Sequence, residues 1–155
     1  MSPYVFALLI GVVAGLRTFS APAVVSWAAF LGWLDLRATW AAFLGHPVSA
    51  IVLGAFAVLE LVVDQLPSTP SRKRPAQFGA RVLSGGFCGA VLGSVDGSFA
   101  LGLVLGALGA VLGTLGGYAA RTRLARAQPR RDHVVAVVED AVALLVAVVC
   151  VTAVS

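Results

Sequence analysis

The stretch "GVVAGLRTFSAPA", Gly11 to Ala23, decides how the rest of this chain is read. Apolar residues run from Tyr4 to Leu16 on one side of it and from Ala21 to Leu34 on the other, and Arg17, Thr18, Ser20 and Pro22 stand in between. Pro22, two residues into the second run, fits a helix start. Thr18 or Ser20 has the side-chain oxygen that caps a new helix by accepting from its exposed N–H groups. The pattern therefore predicts two short helices rather than one long one. If both cross a membrane, Arg17 sits in a cytoplasmic turn and follows the positive-inside rule. If they form a re-entrant pair, the tip lies at membrane depth, and Arg17 needs a carboxylate partner, expected to be Glu60 or Glu139.

Outside this stretch the chain is equally apolar. Of its 155 residues, 59% are hydrophobic and 12% charged, with a mean hydropathy of +0.97. A soluble domain carries about 25% charged residues, so the composition excludes one and predicts an integral membrane protein. The apolar runs are continuous and rich in Ala, Leu and Gly, whereas a membrane barrel alternates in segments of roughly ten residues. Backbone polar groups in lipid must be satisfied within the segment, which makes these runs helices. The first run lacks a basic leader and a clear cleavage pattern, so it is expected to stay in the mature protein. Cys88 and Cys150 lie within apolar runs, with no CxxC or Cys/His cluster, and read as small buried hydrophobes.

Six apolar segments are expected, near 3–17, 20–34, 47–66, 79–95, 97–118 and 132–154, in an all-α, polytopic transmembrane bundle forming a single domain over 1–155. Several are shorter than the roughly 20 residues of a full span. The link "DLRATWAAFLGH", 35–46, reads as interfacial, since Trp40 and its charged neighbours suit the headgroup region. Arg72, Lys73 and Arg74 lie in loop 67–78, and Arg121, Arg123, Arg126, Arg130 and Arg131 in segment 119–131. Two spans separate these loops, so both can face the cytoplasm, which leaves the termini external. They would also attract anionic lipid at about 1 kcal/mol per basic side chain. No aromatic–basic surface points to nucleic acid.

The chain can be laid on itself at an offset of 78–79 residues. "GVVAGLRT-FSA" (11–21) then meets "GAVLGSVDGSFA" (89–100), and "AFAVLELVV" (55–63) meets "VVAVVEDAV" (134–142), with Glu60 on Glu139. Three segments per half make the halves, 1–66 and 79–155, an inverted-topology repeat, an architecture of secondary transporters that places a site near the midplane. Glu60, Glu139 and Asp140 stand well inside their helices, where a charge costs roughly 3 kcal/mol and must face protein or a water-filled cavity. Glu60 and Asp64, four apart, share a helix face. The candidate ion- or substrate-binding residues are thus Glu60, Glu139, Asp140 and Arg17. Asp64, Asp96, Thr18 and Ser20 are the flanking or gating candidates, with Asp96 at the tip that corresponds to Arg17. The carboxylates have a structural alternative, pairing with Arg17, Arg81 or Arg121 to lock helices together.

Glycines at four-residue spacing, Gly85, Gly89, Gly93 and Gly97, then Gly102 and Gly106, then Gly109, Gly113 and Gly117, make side-chain-free stripes. Such stripes allow close helix packing within the monomer or in a homo-oligomer. "GTLGGY" lies in a helical run and lacks the TVGYG-like loop of a potassium filter. No nucleophile elbow, HExxH or phosphate loop appears, and no catalytic residue, metal or cofactor is expected. A lipid-processing site using His133 with Asp132, Glu139 or Asp140 is the weakest of the readings considered.

The stretches "GLRTFSAPAVVSWAA" (15–29), "ELVVDQLPSTPSR" (60–72), "ARVLSGGFCGA" (80–90), "GTLGGYAAR" (113–121) and "VVAVVEDAVAL" (134–144) together resemble the small bacterial membrane proteins of domain-of-unknown-function family 4126. The resemblance covers nearly the whole chain and implies a multi-spanning bacterial inner-membrane protein, with no activity, substrate or catalytic residue attached. From the residues themselves, the leading expectation is a transporter or channel for a proton, cation or small solute, with a carboxylate-lined site between the repeats. The alternative is a structural or accessory membrane protein with no solute path.

Overall fold

The computed structural model describes residues 3–64, 75–127 and 132–154, with side chains except at 3, 64, 75, 121, 124–127, 132–137 and 139. Six α-helices follow in order: α1 (Pro3–Leu16), α2 (Ser20–Phe30), α3 (Pro47–Asp64), α4 (Pro75–Val95), α5 (Phe99–Ala127) and α6 (Asp132–Thr152). A short 3₁₀ turn, Ala42–Gly45, lies in the link between α2 and α3. There is no strand among the described residues. The helices α1, α3 and α4 each open on a proline, which has no N–H to leave unsatisfied and a backbone angle already suited to a helix.

Two helix ends close on themselves. At the end of α2, Trp33 N–H donates to Ala28 and Gly32 N–H to Ala29, with Gly32 at φ +78°. At the end of α4, Ser98 N–H donates to Gly93 and Gly97 N–H to Ser94, with Gly97 at φ +74°. Both are left-handed glycine caps that satisfy the last carbonyls locally. They explain why α2 stops at Phe30, short of the predicted boundary at 34. A side chain in the left-handed region costs about 1–2 kcal/mol, so Gly97→Ala is expected to lower the thermal midpoint of the purified protein in detergent by that amount of stability.

The helices α1, α4 and α5 form a trio packed backbone to backbone. A Cβ on Gly89 would overlap the Gly102 carbonyl, and one on Gly106 the Gly85 carbonyl. The order of these contacts makes α4 and α5 an antiparallel hairpin turning at 96–98. Similarly, Gly11 lies on Gly106 and Gly15 on Ala110 and Thr114, so α1 runs parallel to α5. Glycines 85, 89, 93, 102, 106, 109 and 113 are thus all engaged within the monomer, whereas Gly116 has nothing within 4 Å of a would-be Cβ. Helices α2, α3 and α6 pack outside the trio. The core cluster includes Ile10, Val13, Val25, Leu92 and Val151, together with Cys88 and Cys150, which are buried and free.

The predicted segment 97–118 proves longer. The helix α5 continues to Ala127, so residues 119–127, expected as loop, are helical. The stretch "AARTRLARA" is rich in strong helix formers, and the first proline comes only at Pro129. Because α4 and α5 are antiparallel, the start of α4, which follows residues 72–74 in the sequence, and the basic end of α5 share one end of the bundle. At the opposite end the link 35–46 folds over the α4–α5 turn. There the Trp40 indole N–H donates to Ser94 Oγ at 2.8 Å and its ring meets Phe87 and Phe99 edge-on.

Two helical stretches, Ala76–Val95 and Phe99–Ala120, are long and apolar enough to cross a membrane. The remaining apolar helices are shorter.

Candidate functional site at the break between α1 and α2

A helix that stops leaves its last carbonyls without intrahelical partners, and one that starts leaves its first N–H groups likewise. The chain does both within the few residues at 17–19, and no glycine cap closes either end. Phe19 is the cap residue of α2 and contributes no side-chain hydrogen bond. Side chains from the surrounding helices take over instead.

On the N-terminal side of α2, the Glu60 carboxylate of α3 accepts from the backbone N–H groups of Thr18, at 2.7 Å, and Phe19, at 2.8 Å. Neither Thr18 nor Ser20 acts as the predicted cap. A full negative charge at the positive end of a helix binds these amides more strongly than a hydroxyl does. Phe19 stacks on Phe56, one turn before Glu60, with ring centroids 5.2 Å apart, which holds α3 against the tip. On the C-terminal side of α1, Arg81 of α4 donates from Nη1 to the carbonyls of Gly15, at 2.9 Å, and Leu16, at 3.2 Å. The Thr114 hydroxyl of α5 shares its proton between the carbonyls of Ala110, at 2.8 Å, and Gly15, at 3.0 Å, and Ser84 of α4 donates to the Thr18 carbonyl.

Arg17 itself points into the protein. It is 3% exposed, and its Nε donates to Asp140 Oδ1 of α6 at 2.6 Å. The expected partner was Glu60 or Glu139. Glu60 is committed to the α2 amides, and among the described side chains Asp140 of α6 is the carboxylate on Arg17. The side chains of Glu139, Asp64 and His133 lie outside the described residues. Asp96 is not part of this site, because it follows the last residue of α4 and is exposed at the far end of the bundle. Ser20 is buried at the start of α2, where it lines an apolar cavity of about 320 Å³ between α2, α3 and α6. A second cavity, of about 390 Å³, lies under the 35–46 link. Neither of these two is lined by Glu60, Arg17 or Asp140.

Both arms of the break return to one end. Tyr4 Oη at the start of α1 is 3.1 Å from Ser98 Oγ, and the link after α2 reaches Ser94. Between them α1 lies on α4 and α5, while α2 runs back along α3, with Trp27 beside Gly54 and Ala29 beside Gly45. The pair therefore folds back on itself, and its tip at Arg17 is buried among the other helices. At about 1.5 Å rise per residue, the distance from Pro3 to Arg17 is about 21 Å. From Val95 back to Arg81 it is also about 21 Å, and from Thr152 back to Asp140 about 18 Å. Set in a hydrocarbon core of about 30 Å, the tip would lie about two thirds of the way across, toward the basic end.

Arg81 and Thr114 were the least visible members of the site. The signal for Arg81 was an arginine at the opening of the fourth apolar segment, which reads as a partner for a carboxylate rather than for helix-end carbonyls. The signal for Thr114 was a hydroxyl beside the glycine stripe that packs on α1.

No curated protein and no solved structure matches the chain. A family model does match, over residues 5–153, and covers nearly the whole chain. The chain accordingly belongs to the domain-of-unknown-function family DUF4126.

Proposed function

We propose that this is a small multi-pass transport protein of the bacterial inner membrane that moves a proton, a cation or a small solute, with the re-entrant tip as its working site. The observation that carries the proposal is the break at 17–19, held at depth by Glu60, Arg81 and the Arg17–Asp140 pair. Ionisable groups inside a membrane are costly and mark ion or solute pathways. Discontinuous helices with their ends at the site recur in transporters.

Membrane insertion is supported by the outward faces of the helices. Leu83 of α4 is 76% exposed, Leu145 of α6 66%, and Ile51 and Val58 of α3 63% and 60%, so large apolar side chains face outward on three helices. The basic residues before α4 in the sequence and at the end of α5 support a cytoplasmic placement of that end, with external termini and contact to anionic lipid. The inverted arrangement of 1–66 and 79–155 belongs to the same proposal. It draws support from the shared order of elements and from the two turns, 17–19 and 96–98, pointing to opposite ends of the bundle.

A second reading, a structural membrane protein with no solute path, is favoured by one observation. The trio of α1, α4 and α5 closes backbone to backbone, and the carbonyls and amides named above all have protein partners.

Flux in proteoliposomes separates the two readings. The protein is expected to dissipate an imposed H⁺, Na⁺ or K⁺ gradient faster than empty vesicles. Glu60→Gln combined with Glu139→Gln should cut that rate at least tenfold, and the glutamine introduced in α3 still offers one oxygen to the α2 amides. Undiminished flux in the double variant would sink the carboxylate site. A wild-type protein that dissipates none of these gradients would leave the structural reading.

A further inference from the structure

We propose that Arg81 is the charge-selectivity element of this site, a tethered cation seated where a monovalent metal ion would otherwise bind. The proposal rests on the transport reading. The end of α1 presents the carbonyl oxygens of Gly15 and Leu16 to one point, with the Thr114 hydroxyl on the same Gly15 oxygen. Such an end carries about half a negative charge. Carbonyls at the C-terminal ends of broken helices are the groups that hold Na⁺ or K⁺ in transporters. Here the Arg81 guanidinium fills that position.

The side chain is 3% exposed, and it reaches the carbonyls from a different helix rather than from the one it caps. Tertiary packing therefore fixes its place, and it cannot leave as an ion leaves. A guanidinium held on these carbonyls denies them to a metal cation. The species that then passes the tip is a proton carried by the neighbouring carboxylates, or a neutral or anionic solute. Glu60 is the counterpart of opposite sign, a tethered anion on the α2 amides.

Arg81→Gln removes the charge and leaves one amide donor for the carbonyls. Purified Arg81→Gln is expected to gain at least 5 °C in thermal midpoint when choline chloride is replaced by NaCl or KCl at equal ionic strength, whereas wild type and Arg81→Lys should not respond. In proteoliposomes the variant should raise Rb⁺ or Na⁺ uptake at least tenfold over wild type. The thermal measurement requires no flux, so a failure of the transport reading shows as a cation-specific shift without uptake. If Arg81→Gln folds and shows neither a cation-specific shift nor uptake, the assignment is overturned. It is equally overturned if the variant cannot be recovered folded in choline, Na⁺ or K⁺, since Arg81 would then be a structural lock and nothing more.

Discussion

Gly106→Leu is expected to yield no folded protein. Gly106 lies where the three central helices meet: a Cβ there would overlap the carbonyl oxygen of Gly85, and its own carbonyl already lies against Gly11. These neighbours are backbone atoms, so no side-chain rotation can relieve the clash. The helices themselves must separate, and every glycine contact along α4 and α5 would open with them. Even Gly106→Ala should cost at least about 3 kcal/mol, the upper end of ordinary overpacking, out of a total stability on the order of 5–15 kcal/mol. Gly116→Ala is the control. Nothing lies within 4 Å of its would-be Cβ, so alanine should be neutral or stabilise the helix by up to about 1 kcal/mol. Folded yield in detergent, followed by thermal unfolding of the recovered variants, checks both. A Gly106→Leu protein with wild-type stability would mean that the central helices do not approach this closely.

Asp140→Leu should destabilise the protein by about 3–5 kcal/mol, the usual cost of removing one member of a buried ion pair. The pair is well enclosed, with side-chain exposures of 4% for Arg17 and 11% for Asp140. Arg17→Met should also be destabilising, by leaving the carboxylate buried. The combined variant is the informative one. A buried pair replaced by apolar groups of similar volume is often close to neutral, so Arg17→Met with Asp140→Leu should lose clearly less than the two single losses added together. Chemical or thermal unfolding of all four proteins gives the coupling. Losses that simply add, within about 0.5 kcal/mol, would mean that Arg17 and Asp140 do not act as a pair.

The two expectations concern different kinds of information in the chain. That the protein is all-helical follows from composition and from the continuity of the apolar runs. The glycine spacing likewise announced close helix packing. Five of the six helices begin within a few residues of where proline, charge and hydropathy place them, and α4 begins at Pro75, somewhat before the predicted 79. The exceptions at helix ends have local reasons that were present but outweighed. Gly32 cut α2 short, and the helix formers after Tyr118 carried α5 through its basic stretch.

The site was legible only as an inventory. Glu60, Asp140 and Arg17 stood out because charge is expensive inside an apolar helix. Which carboxylate meets which cation did not, because the side chain's direction around a helix and the helix's partner are both decided by packing. Asp140 meets Arg17 although it lies 123 residues away in the chain, a pairing that no local pattern announces. The glycine contacts set how α1 lies on α5, and the packing of α2 and α6 around that trio brings Asp140 to Arg17. Asp96 shows the converse. It stands at the corresponding tip of the proposed repeat, yet Gly97 caps its helix locally, with Ser98 N–H on Gly93 and Gly97 N–H on Ser94.

By itself, then, "GVVAGLRTFSAPA" determined that the chain breaks after Arg17, because an arginine, a threonine and a serine followed by a proline do not continue an apolar helix. It did not determine where that break lies. Two short helices can cross a membrane in succession or turn back within it, and the local sequence serves either course. What the tertiary structure decided is that the break lies among other helices that supply its partners. Arg81, Thr114 and Ser84 satisfy the end of α1, and Glu60 the start of α2. Backbone groups that lack a local cap can stay at depth only where other helices bring them partners.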